Sequence, residues 1–285
     1  MKRRCLIYAQ WDVNGIVDAH VLHALEVYRR AVDLIVFVST NYQVPSPELE
    51  AVSDRIIVRD NTGFDLGSWQ AALATIDASR FDEVLFANSS AFGPLWPIER
   101  VFESPAIQDA DVWGMTISKQ HVAHLQSYFM GMSRQTIESP FGRRLWGEIR
   151  PFQRKVDAIE AYELRWLTRC EAAGLRVRAV YDARRETGRI AFGEWLANGC
   201  RFVRRQAEGR RYRREARRRH HNPNHMHWKR VLETGVPLIK VDLFTRNPCG
   251  LRLSRIRRWI ERHTDYPYDL IHDHVSRVAR NRLAA

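Results

Sequence analysis

Apolar and polar positions follow two different periods along this chain. Short apolar, largely β-branched runs recur at Leu6 to Ala9, Leu34 to Val38, Ile56 to Val58 and Val84 to Ala87, each of strand length. Between the first two runs, starting at Asp18, the residues Val21, Leu22, Leu25 and Tyr28 fall at the three- and four-residue spacing of a helix. This predicts a βαβ opening with a right-handed crossover and a parallel strand pair. Pro45, Pro47, Glu48 and Glu50 mark an excursion before the third run. Between the third and fourth runs lie a polar turn with two glycines and a helical pattern through Ala71, Leu73 and Ile76, which Ser68 is expected to cap or open. The stretch Arg59 to Pro94 (RDNTGFDLGSWQAALATIDASRFDEVLFANSSAFGP) thus reads as a unit whose polar residues collect at strand ends. In open α/β sheets, ligands sit at the carboxyl ends of strands.

Further on, Asp111 to Met115 supplies a short element and Tyr128 to Met132 a strand. Residues Pro151 to Gly174 read as helical, followed by a strand at Val177 to Val180. Asn222 and Pro223 then start a helix, Met226 to Leu232 reads as a helix and Pro237 to Leu243 as extended. The last 30 or so residues form helices that can pack back on the sheet. Two parts are expected: a core over residues 1–198, and a basic, helical segment over 199–285 that packs on it without forming a second catalytic domain.

The 285 residues, 45% hydrophobic and 27% charged, suffice for one substantial core plus an appendage. No uncharged apolar run approaches the roughly 20 residues that cross a bilayer, and the apolar stretch in MKRRCLIYAQWD is too short for a signal peptide. Cys5, Cys170, Cys200 and Cys249 show no C-x-x-C spacing, so a reduced, cytoplasmic setting is expected. The net charge of +12 is uneven, since ten of the nineteen residues from Arg201 to Arg219 are arginine. A solvated basic helix, a patch for anionic lipid and a nucleic-acid surface remain open for that segment. No nucleic-acid module surrounds it, and nucleic acid is not the expected partner.

Candidate chemistry gathers at the predicted strand ends. The turn QWDVNG after the first strand contains Asp12, a ligand-facing or locally capping carboxylate, and no G-x-G-x-x-G or Walker pattern. After the third strand come Asp60, Asn61, Gly63, Asp65 and Gly67. Two glycines permit close backbone approach, and the polar side chains can meet ribose hydroxyls or base edges before a helix N-terminus suited to phosphate. After the fourth strand stand Asn88, Ser89 and Ser90 without a carboxylate, while Asp82 and Glu83 precede that strand. Trp113, His124 and Gln126 are candidates for substrate contact, with packing the alternative for Trp113. Glu160 and Glu163, three apart on one helix face, are candidate general bases, with surface pairing the alternative. His220, His221, His225 and His227 lack the thiol or carboxylate that would complete a recognised metal spacing.

The segments YAQWDVNGIVDAHVLHAL, RDNTGFDLGSW, VLFANSSAFGPLWPIERVF, WGMT, HLQSYFMGM, YELRWL, NPNHMHW, GVPLIKVDLF and YPYDLI, in this order, resemble the rhamnan synthesis protein F family. The resemblance implies an α/β, GT-A-like fold: a Rossmann-type, mostly parallel sheet flanked by helices, here with a helical, basic C-terminal extension. It also implies a cytoplasmic enzyme, peripheral at the inner face of the bacterial plasma membrane. Such an enzyme moves L-rhamnose or a related sugar from a dTDP or other nucleotide donor onto a lipid-linked glycan. By the same resemblance, Asn61 and Gly63, with Asp65 nearby, match the turn that touches the nucleotide. An acidic pair that would hold Mg2+ or Mn2+ falls at Asn88 to Ser90, where Ser89 departs from the family's aspartate. Glu163 falls at the catalytic base ahead of Gly174. The implied reaction is an inverting displacement at the anomeric carbon. Because of Ser89, the alternative is a non-catalytic nucleotide- or glycan-binding subunit of a polysaccharide assembly complex.

Overall fold

The computed structural model describes residues 2–42, 46–186 and 222–284. The arginine-rich segment, Cys200, His220, His221 and the boundary expected at residues 198–199 lie outside them. The chain opens with β1 (Arg4–Gln10), α1 (Ala19–Arg29), β2 (Leu34–Ser39), α2 (Pro47–Val52), β3 (Arg55–Val58) and α3 (Phe64–Leu73). Next come β4 (Glu83–Asn88), β5 (Ala91–Phe92), α4 (Glu99–Phe102), β6 (Val112–Ser118), β7 (His124–Leu125) and β8 (Phe129–Ser133). Helices α5 (Arg134–Glu138), α6 (Pro140–Gly147), α7 (Lys155–Ala158) and α8 (Leu164–Ala172) precede β9 (Val177–Asp182), with a π-helical turn at Ile159–Glu163 between α7 and α8. The C-terminal segment contributes α9 (Pro223–Met226), α10 (Trp228–Glu233), β10 (Ile239–Lys240), α11 (Val241–Thr245), α12 (Leu253–His263) and α13 (Asp269–Ala284).

Eight strands form one sheet in the order β3-β2-β1-β4-β8-β6-β7, with β9 paired to β6. The expected parallel opening is present: β1 pairs in parallel with β2 and with β4, and β2 with β3. The other half is mixed, because β8 runs antiparallel to both β4 and β6. Strand β1 is apolar at consecutive positions because both its faces are covered. Cys5, Ile7 and Ala9 join the layer of Trp69, Trp146 and Trp166, whereas Leu6 and Tyr8 join that of Val21, Leu25 and Tyr28. This is the GT-A-like, Rossmann-type sheet flanked by helices, extended by a helical C-terminal region.

Helix α3 departs from expectation. It begins at Phe64, after Gly63 in the left-handed region (φ 86°), and Ser68 lies inside it rather than at its start. Leu66, Trp69 and Ala72, three apart, form its buried face, so the apolar register that matters starts earlier than Ala71. The expected helix Met226 to Leu232 is broken at His227, and only Ile239–Lys240 of Pro237 to Leu243 is strand.

The C-terminal segment builds its own apolar cluster around β5, in which Phe92 and Leu95 meet Trp228, Ile239, Leu243, Phe244 and Ile260. Strand β10 pairs antiparallel with β5, matching Ile239 to Phe92 and Lys240 to Ala91. Gly93 permits this approach, since a Cβ there would stand 2.5 Å from the Pro237 carbonyl oxygen. Among the described residues, no helix is long and apolar enough to cross a membrane.

Candidate active site

The carboxyl ends of β1 and β4 and the amino end of β8 meet at one edge of the sheet. Asn88 closes β4 there: its backbone N–H donates to the Tyr128 carbonyl at 3.2 Å, which fixes the start of β8 beside it. The Asn88 amide then organises its surroundings. Nδ2 donates to Asp65 Oδ2 at 3.1 Å and to the Ser127 carbonyl at 3.4 Å, while Oδ1 accepts from Ser90 N at 3.1 Å and Ser90 Oγ at 2.5 Å. Asp65, in the first turn of α3, is thereby tied to the end of β4, and Lys155 Nζ stands 3.9 Å from the same Oδ2. Ser89 Oγ lies 3.4 Å from the Trp11 backbone nitrogen, in the loop after β1.

Glu163 enters from the π-helical turn. Ser127 Oγ donates to its Oε2 at 2.6 Å, and His124 Nε2 lies 3.9 Å from Oε1. The His124 Nδ1 contacts the Val122 carbonyl at 2.9 Å; a carbonyl only accepts, so Nδ1 carries the proton. Single π turns inside helices recur at functional sites. This one also separates the two candidate bases: Glu160 is exposed, and Glu163 is half-buried against Ser127. Winding with i→i+5 bonds shifts side chains off the α-helical spacing, so residues three apart no longer share a face.

Lys240 was missed by the sequence reading. Its Nζ donates to Ser90 Oγ at 3.1 Å and lies 4.7 Å from the centroid of the Tyr128 ring. The backbone fixes this position, since the next residue, Val241, donates its N–H to the Ser90 carbonyl at 2.9 Å. Burial lowers the lysine pKa from its ordinary value; the neighbouring Asp242, Glu163 and Asp65 act in the opposite direction. A two-residue strand carries no period that a sequence reading could detect.

Several candidates serve other ends. Asp12 is buried and bound by the Arg277 guanidinium from α13, with contacts of 3.1 Å to Oδ1 and 2.5 Å to Oδ2. Arg277 also reaches Asp18 Oδ2 at 2.6 Å. Trp113 is in the core, donating from its indole to Glu83 Oε1 at 2.7 Å, at the opposite end of β4. Gln126 is buried and accepts from the Asn224 amide, which ties it to α9 instead of a ligand. Gly67 faces its own turn: a Cβ there would stand 2.3 Å from the Thr62 carbonyl oxygen, so glycine is needed for the turn to close on α3. Arg59 braces that turn through Thr62 at 2.8 Å, and Asp60 and Asn61 are exposed at its rim. A cavity of about 480 Å³ lined by Trp96, Arg100, Glu103, Leu232 and His263, among others, shares no residue with this site.

The residues at Asn88 to Ser90 do not fit the divalent ion that the GT-A-like layout implies. Hard divalent cations take carboxylate and carbonyl oxygens, yet Asn88 Oδ1 is engaged by Ser90 and Ser90 Oγ accepts an ammonium. Among the described residues, Asp18, His20 and His274 place ligand atoms within 4.8 Å of one another. The guanidinium of Arg277 occupies the same Asp18 oxygen that His274 contacts, which opposes a cation there.

Comparison with known proteins adds the following. The family described as rhamnan synthesis protein F matches residues 35–196 and 210–285. A virulence protein, VirA of Vibrio anguillarum, is 26% identical over 211 residues, 69% of this chain; the aligned region spans 64% of that relative's length. Among solved structures, a mannosyltransferase of Pyrobaculum calidifontis in complex with GDP-Man and Mn2+ is 11% identical, with a TM-score of 0.41 over 98% of this chain and 80% of that one. Glucosyl-3-phosphoglycerate synthase of Mycobacterium tuberculosis is 10% identical, with a TM-score of 0.36 over 68% and 75% of the two chains. Likenesses of this size carry no functional argument. The family match covers most of the chain: the chain belongs to the rhamnan synthesis protein F family.

Proposed function

We propose that this protein transfers a sugar, L-rhamnose from a dTDP donor in the first instance, onto a lipid-linked bacterial surface polysaccharide. The observation that carries the reading is the convergence of Asp65, Asn88, Ser127 and Glu163 at the carboxyl end of β4. The nucleotide would lie along the strand ends between the Asn61 to Asp65 turn and Asn88 to Ser90. The Trp11 indole, 53% exposed beside Ser89, offers a flat apolar face to a base or sugar ring.

In the displacement, the acceptor hydroxyl oxygen forms its bond to the anomeric carbon as the bond to the diphosphate oxygen breaks. The hydroxyl proton passes to a Glu163 carboxylate oxygen, and the electron pair leaves with the diphosphate. Ser127 orients that carboxylate by donating to Oε2, which leaves Oε1 to take the proton. The Arg201 to Arg219 segment, by its sequence, suits attachment to an anionic membrane surface where a lipid-linked acceptor resides.

Calorimetric titration with dTDP and UDP, followed by transfer assays with dTDP-L-rhamnose, tests the reading. Saturable binding of one nucleotide together with transfer is expected. Binding without transfer onto any lipid-linked glycan would favour a non-catalytic subunit, and the absence of binding by both nucleotides would overturn the proposal.

A further inference from the structure

The metal-binding position of this site holds no carboxylate pair, and the side chain that does reach it is a lysine. We infer that the Lys240 ammonium is the built-in cation of the donor site, holding the nucleotide diphosphate and its developing charge without a divalent ion. This rests on the nucleotide-sugar reading given above and assigns one of its components.

Three observations carry it. First, Lys240 is anchored beside Ser90, at the carboxyl end of β4. Its backbone is paired to Ala91, its neighbour Val241 is bonded to the Ser90 carbonyl, and its Nζ touches Ser90 Oγ. A side chain fixed at both ends of its stem is preorganised, and charge stabilisation in a site depends on that. Second, its charge is not consumed by a close partner. Among the described residues, Lys240 makes no ion pair within 4.0 Å; Ser90 Oγ takes one of its three N–H donors, and the Tyr128 ring faces it at 4.7 Å. A half-buried ammonium with donors to spare is unfavourable in a finished core and useful beside an anionic ligand. Third, the oxygens around it suit an ammonium better than a divalent ion. Ser90 donates its own proton to Asn88 Oδ1, so its Oγ is a neutral acceptor, and the nearby carboxylates are held elsewhere, Asp65 by Asn88 and Glu163 by Ser127. Lys155, exposed and 3.9 Å from Asp65, places a second positive charge at the rim.

Two residues keep the lysine in place, Gly93 just after the turn it serves and Tyr128 at the start of β8. Gly93 lets the chain bearing Pro237 lie against β5, and Tyr128 gives the ammonium an aromatic face within the roughly 6 Å reach of a cation–π contact. The C-terminal segment is accordingly part of the donor site, since it delivers the cation.

The experiment is calorimetric titration of the full chain with dTDP, in EDTA and in Mn2+, for the native protein and for Lys240→Met and Lys240→Arg. The native protein is expected to bind dTDP in EDTA within about threefold of its affinity in Mn2+. Lys240→Met should weaken dTDP binding in EDTA on the order of tenfold to a hundredfold, the range of hydrogen bonds to charged groups. Thymidine, which lacks the diphosphate, should lose nothing. Lys240→Arg should recover most of the loss, and thermal melting of each variant separates a binding defect from a folding one. Native binding that vanishes in EDTA and returns with Mn2+ would overturn the inference and leave the transferase reading standing. Equal losses for dTDP and thymidine in a folded Lys240→Met would reduce the lysine to a packing role and overturn it as well. Failure of the native protein to bind dTDP or UDP in either condition would remove both readings together.

Discussion

Beyond β1, two carboxylates and one guanidinium form a closed set: Arg277 answers Asp12 at 2.5 Å and Asp18 at 2.6 Å, and His274 adds a second contact to Asp18. Beyond β4, Lys240, Glu163 and Asp65 feel one another's charge, yet the lysine stays more than 4.0 Å from either carboxylate among the described residues. The first region has as many ionised groups at its centre, but they are paired directly with one another. Burial pushes the Asp18 pKa up, but hydrogen bonds from His274 and Arg277 outweigh it and hold the carboxyl well below the usual range. The difference shows that the number of charges at a strand end does not measure its reactivity. Charges that already neutralise each other hold the chain together; beyond β4, serine and asparagine stand between the Lys240 ammonium and the two carboxylates.

The largest effect expected from this contrast is at Glu163. Replacing it by glutamine keeps an acceptor oxygen for Ser127 and removes the base, so kcat should fall by about 10²- to 10⁴-fold. Affinity for dTDP should stay within about twofold, because the carboxylate is assigned to the acceptor side. Release of dTDP from dTDP-L-rhamnose with a lipid-linked glycan acceptor gives the first quantity and calorimetry the second. An unchanged kcat would move the base elsewhere.

Arg277→Met probes the other region. It leaves Asp12 and Asp18 without their shared counter-ion, and breaking a buried pair from one side is strongly destabilising. A loss of about 2–3 kcal/mol in urea unfolding is expected, less than the roughly 3–5 kcal/mol of a fully buried pair because the guanidinium is partly exposed. Adding Asp12→Asn should restore part of the loss, since the mutations act on one contact. Retention of full stability in Arg277→Met would mean that the closed set holds nothing together.

These two regions were unequally legible in the sequence. Strands β1, β2 and β4 were read from local sequence because burial on both faces writes consecutive apolar residues into them. Asp65, Asn88 and Glu163 were readable because each sits at a strand end or helix within a recognisable local unit. Arg277 lies 265 residues from Asp12 and Lys240 lies 150 residues from Ser90, and no local pattern couples such positions. The partner of Asp12 is therefore not visible in its turn, while the end of β4 reads as uncharged and has a cation. Of the two readings of Trp113 the structure has packing: the residue is in the core, and the strand end toward which its indole N–H bonds is not visible in a pattern. Glu160 is on the surface, the alternative its sequence leaves open, and the π turn that separates it from Glu163 follows a spacing that the α-helical rule does not describe.

The pH-dependent effect concerns His20, which packs against the closed set. Both of its ring nitrogens are buried without a hydrogen-bond partner among the described residues, and its ring packs on Phe92 at 5.0 Å and on His274 at 4.5 Å. Asp18 Oδ2 lies 3.8 Å from its Nδ1, and His274 and the Arg277 guanidinium face it as well. Burial, reinforced by His274, pushes its pKa down to about 3; Asp18 opposes this and is outweighed. In the unfolded chain a histidine titrates near 6.5. Between pH 6.5 and about 3 the unfolded state therefore holds a proton that the folded state does not. Stability must fall as pH drops through that window, by up to about 1.4 kcal/mol per pH unit for this one proton. Asp18 adds its own loss only below roughly pH 4, where an unfolded aspartate protonates. His20→Phe removes the titrating ring and keeps an aromatic against Phe92. Urea midpoints measured at pH 7, 6, 5 and 4 should fall for the native protein and fall less steeply for the variant. Equal slopes would show that the closed set, unlike the lysine side, carries no pH-dependent strain.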